Sequence, residues 1–167
     1  FKGQSQFDDS ANPNRLNLSV KHTQTAFASA PDDKYSIAEY EIRNTGTAIL
    51  NGVYAGLFTD WDVDVSGRDV TKFDPADRLG MVYPKSGNGF YAGVKLLNAA
   101  YGTSYYPLSN QIVGDPAQSA GGLSIAEKYE TLSSGVKATS LGESTANGID
   151  VMFVSGYGPF TIPINGS

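Results

Sequence analysis

Cysteine is absent from the 167 residues, which excludes disulfides, thiolate catalysis and cysteine-ligated zinc or iron–sulfur sites. It does not fix the compartment, because exported bacterial proteins often lack cysteine as well. Histidine occurs once, at His22, among polar neighbours in a strand-like pattern, where an exposed or hydrogen-bonded strand residue is the simplest reading. Charged residues make up only 17% of the chain, and the balance is −5 with a pI near 4.7. A phosphate backbone would be repelled by that charge, so nucleic acid is excluded as a partner. No run of about 18 apolar residues occurs, so no membrane insertion is expected. Neither a signal peptide, a Gly-x-Ser-x-Gly elbow nor a phosphate-cradling glycine loop is found. The chain opens on Phe1 rather than Met, as a processed product or an excised piece of a larger protein would.

What the chain does have is apolar alternation, 19 glycines and 8 prolines. Residues 1–14 are polar with little periodicity and read as a lead-in or linker. Residues 15–167 are long enough for one domain with a real core. Leu16, Leu18 and Val20 alternate with polar residues as a strand does, and 35–43 follows with Ala38, Tyr40 and Ile42 on one face. The stretch 48–65 alternates again, interrupted by Asn51–Gly52, a tight-turn signal. Further strands are expected at 78–84, 89–97, 103–108, 148–156 and 159–164, with turns at 85–89 and 155–159. Ser124 and Glu127 form a capping-box pattern, Ile125, Tyr129 and Leu132 fall at helical spacing, and Gly135 suits the residue past a helix end. The expected fold is an all-β antiparallel sandwich, immunoglobulin-like or jelly-roll in type, with one short α-helix near 125–134.

Two features carry chemistry. From Asp60 to Asp77 stand six aspartates (60, 62, 64, 69, 74, 77), half of the chain's twelve, against Arg68 and Lys72. Calcium takes six to eight oxygen ligands and tolerates irregular loops. The glycine and the terminal glutamate of an EF-hand are missing. A looser calcium site from Asp60, Asp62, Asp64, Asp69 and Asp74 is therefore expected, in competition with a solvated acidic rim on an edge strand. Aromatic residues are the other feature. Trp61 shares a face with Leu57 and Val63 and belongs in a core, whereas Tyr91, Tyr101, Tyr105 and Tyr106 are candidates for a platform that stacks on sugar rings. A carbohydrate-binding module, with cell-surface glycan as its partner, is the rival functional reading. A small hydrolase using the aspartates is a third.

Five stretches occur in order: "YSIAEYEIRNTGTAILNGVYAGLFTDWDV", "DRLGMVY", "AGVKLL", "LSIAEKYETLSSG" and "IDVMFVSGYGPFTIP". Over about residues 12–164 the chain resembles an accessory β-sandwich domain found downstream of subtilisin-like peptidase domains in secreted bacterial proteins, including those exported by the type IX route. "GLFTDWD" and "GPF-I" carry most of that likeness. The resemblance implies a non-catalytic, secreted or surface-associated bacterial module whose partner is a neighbouring peptidase domain. The catalytic triad would lie in that domain, and another strand would follow residue 164.

Overall fold

The computed structural model describes residues 1–63, 65, 67–86, 89–98, 100–112, 115–116 and 122–167. They form a mostly antiparallel all-β protein of three sheets with one α-helix, the sandwich class that the alternation predicts. The chain clusters into two compact units, Phe1–Val53 with Thr161–Ser167, and Tyr54–Phe160.

In the first unit, β1 (Lys2–Asp8), β2 (Leu18–Ala26) and β3 (Ser36–Asn44) make a three-stranded sheet in that order. The segment read as a lead-in is thus a strand. Its residues are nearly all exposed, so no apolar face marks it in the sequence, and its pairing rests on the antiparallel ladder with β2 and on polar side-chain bonds from Gln4 to Thr23 and Gln6 to Ser19. His22 stacks on Tyr40 across the β2–β3 pair at 4.6 Å, with Gln24 3.2 Å from its Nε2. Asn44 is fully buried and fastens the end of the unit. Its Nδ2 donates to the carbonyls of Ala48 and Ile162, and its backbone pairs with Asn165 and Gly166.

The second unit holds the core. β4 (Leu50–Asp60) enters it and β10 (Met152–Ile162) leaves it, forming with β8 (Thr103–Leu108) an inner sheet ordered β4-β10-β8. An outer sheet has the order β7-β6-β5-β9, from β5 (Asp69–Asp74), β6 (Leu79–Pro84), β7 (Ala92–Lys95) and β9 (Ser140–Leu141). Between the sheets Phe73 stacks on Tyr105 at 4.7 Å, Tyr105 meets Phe153 at 5.3 Å, and Trp61 sets its edge on Phe153. Burying each such side chain is worth about 1.5–3 kcal/mol. A Cβ on Gly80 would lie 2.8 Å from both the Tyr105 and the Phe153 rings, so β6 can approach the inner sheet only with glycine there.

The opposite face of the inner sheet packs Tyr106, Leu108, Met152 and Val154 against Leu123 and Leu132. Leu132 belongs to α1 (Ile125–Ser133), which begins where the capping pattern predicts. Ser124 Oγ accepts from the Glu127 N–H, and Glu127 Oε2 accepts from the Ser124 N–H. Among the described residues no helix is long and apolar enough to cross a membrane.

Three local expectations are corrected. Asn51–Gly52 makes no hairpin turn: Gly52 takes φ 66° inside a continuous β4. Residues 155–159 are likewise strand rather than turn, and β10 runs through them. Gly158 is needed there because a Cβ would lie 2.3 Å from the Tyr54 ring. The stretch 69–74, taken for a metal-binding loop, is β5.

Candidate functional site

β5 explains why the acidic stretch does not close on one point. Its alternate residues Asp69, Thr71 and Phe73 are buried, and Thr71 and Phe73 both meet Tyr105 of the inner sheet. Asp69 is 1% exposed, and its backbone exchanges two 3.0 Å bonds with Ile149. Asp74 stands at the other end of the strand, roughly 17 Å away at 3.3–3.4 Å per residue. There its Oδ1 accepts from the N–H groups of Ala76 and Asp77 and holds a turn. Asp77 itself is bound to Lys95 at 2.7 Å, which lowers its carboxyl from the ordinary value.

Asp60 and Asp62 do stay together. Both are exposed at the end of β4, with Trp61 between them turned inward. Asp150, just before β10, joins them. Partial burial, and then the charges of Asp150 and Asp62, push the Asp60 carboxyl above the ordinary aspartate value. Asp150 is held by Asn110 Nδ2 at 2.8 Å, and its carbonyl accepts from Ser109 Oγ. Asp64 lies outside the described residues. Among the described residues, no group of three or more His, Cys, Asp or Glu side chains is placed to hold a metal.

The aromatic candidates separate clearly. Tyr105 is fully buried and Tyr106 nearly so, the latter lying 5.6 Å below Lys137 Nζ with its hydroxyl toward Glu130. Neither ring can offer a face to a ligand, which corrects the expectation that Tyr105 and Tyr106 belong to a platform that stacks on sugar rings. Residues 104–108 are buried on both faces of the sheet although β8 is its edge strand, so their alternation carried no sign of which tyrosine was outside. Tyr101 is partly exposed and leans on Phe160.

Tyr91 is 70% exposed and stacks on Tyr83, with ring centroids 5.1 Å apart and planes 24° from parallel. The two lie side by side on the outer face of the outer sheet, continuing the register that pairs Ala92 with Val82. Val70 stands opposite Tyr83. Beyond Val70, the loop after β9 brings in Glu143. Its Oε1 is 3.9 Å from Lys72 Nζ, and its carbonyl accepts from Lys85 Nζ. Burial first, and then the Glu143 charge, raise the Tyr83 hydroxyl above its ordinary value. A cleft of about 380 Å³, lined by Ser140, Leu141, Gly142, Glu143 and Ser144, opens beside this carboxylate.

Sequence reasoning found Tyr91 but missed Tyr83, Glu143 and Asp150. The signal for Tyr83 was present: Leu79, Met81 and Tyr83 alternate with Gly80, Val82 and Pro84. Both sets are apolar or neutral, however, so the period could not say which faced outward. In comparisons with known proteins, no family model, curated protein or solved structure matches the chain.

Proposed function

We propose that the chain is a non-catalytic accessory module of a larger secreted or surface-associated bacterial protein carrying a subtilisin-like peptidase domain. The observation that supports this reading is where the peptidase-associated stretches fall. "GLFTDWD" ends β4 and sets Trp61 against Phe153, "GPF-I" lies on the last part of β10, and "LSIAEKYETLSSG" is α1 with both halves of its capping box. The likeness is therefore carried by residues that build a framework. Two polar groups that a hydrolase could use serve the framework too: Asp74 holds a turn and His22 stacks on Tyr40.

Calcium has a narrower part in this reading than the sequence suggested. The charges of Asp150 and Asp62 bear on Asp60, and a cation drawn to this acidic end of β4 by charge alone, with no ready-made ligand set among the described residues, would stabilise the module without taking part in chemistry. The module's work is to support the enzyme beside it. The test is to express the peptidase with and without this module and follow irreversible thermal inactivation. A shorter half-life for the truncated enzyme, at unchanged initial activity, is the expected result. An unchanged half-life contradicts it.

A further inference from the structure

We propose that the outer-sheet surface formed by Tyr91, Tyr83, Lys72 and Glu143 binds an oligosaccharide. This inference stands on the surface alone and does not require the peptidase-linked reading above. Three observations carry it.

The first is an aromatic face held in place. Tyr91 is exposed at 70% yet fixed on one side by its stack with Tyr83, so its other face is presented to solvent at little further entropy cost. Phe90, 84% exposed, precedes it in the chain. An aromatic face of this kind suits the C–H-rich side of a sugar ring, which is apolar without being greasy.

The second is the chemistry beside the rings. Glu143 supplies acceptors, Lys72 and Lys85 supply donors, and Ser140, paired in register with Lys72, supplies a hydroxyl. Lys72 lies 3.9 Å from the Glu143 carboxylate and Lys85 donates to the Glu143 carbonyl, so donors and acceptors stand close together, which suits a ligand bearing many hydroxyls.

The third is extent. Tyr91 and Glu143 stand on opposite edges of the four-stranded outer sheet, with the cleft at Ser140–Ser144 beyond. Three strand spacings of about 4.8 Å give a track of roughly 14 Å, which suits several linked sugars better than one. The aromatic end would hold one sugar ring, and the cleft end would bind hydroxyls of a later one.

The test uses the intact chain, fluorescently labelled, on an array of neutral, N-acetylated and uronic-acid oligosaccharides. The best-bound glycan is then titrated calorimetrically against the wild type and against Tyr91→Ala, Tyr91→Phe and Glu143→Gln. Tyr91 is exposed, so its variants should melt with the wild type, which is checked first. The expected result is saturable binding, a loss of about tenfold for Tyr91→Ala, near-wild-type affinity for Tyr91→Phe, and weaker binding for Glu143→Gln. No bound glycan, or wild-type affinity in Tyr91→Ala, overturns the proposal. Failure here leaves the peptidase-linked reading intact, because that reading is tested by enzyme half-life and not by glycan binding.

Discussion

The hydroxyls of Thr71 and Tyr105 are hydrogen-bonded to each other across the interior, one from each sheet of the sandwich. Thr71 Oγ1 also donates to the Met81 carbonyl at 3.0 Å, so Tyr105 is the donor to Thr71. Burial raises the Tyr105 hydroxyl well above the ordinary tyrosine value. The pair ties β5, the strand that the acidic stretch becomes, to the aromatic core.

Removing the two hydroxyls should therefore have unequal effects. In Tyr105→Phe, Thr71 keeps its bond to Met81, and the cost should be about 1 kcal/mol. In Thr71→Val, a buried tyrosine hydroxyl loses its acceptor, and the cost should reach about 2–3 kcal/mol. Urea unfolding of both variants checks the order, and equal costs would contradict the donor assignment.

Gly80→Ala should destabilise by about 1–3 kcal/mol, since the new methyl group lies 2.8 Å from two buried rings that cannot retreat. Gly3→Ala, whose Cβ would meet only the Phe1 ring at 3.5 Å, serves as the control and should leave the melting temperature within about 2 °C.

Ser124→Ala removes the acceptor for the Glu127 N–H and should cost about 1 kcal/mol. Because Leu132 on the same helix covers the inner sheet, this loss should appear in the unfolding midpoint of the core as well as in helical circular dichroism. A change confined to the helix signal would show that α1 is not coupled to the sandwich.

Asp60→Asn should raise stability at neutral pH. The native carboxyl is pushed upward by burial, Asp150 and Asp62, so the folded state disfavours its charged form. The wild type is at its best, as far as this group is concerned, below the unfolded aspartate value of about 3.9, and loses that stability as pH rises through the higher folded value. The advantage of the variant should therefore fade on acidification. Denaturant titrations at neutral and acid pH, in chelator, read this directly. A destabilised variant at neutral pH would mean that Asp60 has a favourable partner instead.

Much of this architecture is legible in the residues, and its limits have physical causes. Ser124, Glu127 and Gly135 mark α1 because capping chemistry is local. The alternation around Val53–Asp60 and 103–108 marks strands because side-chain period is local too. β1 was not visible because its side chains are exposed on both faces, and β5 was not because Asp69 and Thr71 put polar side chains on its buried face. Asn51–Gly52 carries a turn signal that the pairing of β4 and β10 overrides. At the candidate surfaces, Tyr91 could be named from composition and exposure tendencies. Tyr83 comes from β6 and Glu143 from the loop after β9, and only the fold of the sheet brings them to the same surface. Asp60 and Asp62 are neighbours in sequence, while the charge of Asp150 reaches Asp60 through folding alone.

The central claim is that this module belongs to a larger secreted peptidase, and one measurement addresses it most directly. Antibody raised against the chain is used to capture the native protein from culture medium and cell surface, and the captured material is treated with a fluorophosphonate probe for active-site serines. The account predicts a polypeptide much larger than 17.7 kDa, labelled by the probe, with this chain's peptides and a subtilisin-like domain in one tryptic map. An unlabelled protein of this chain's own mass would contradict it.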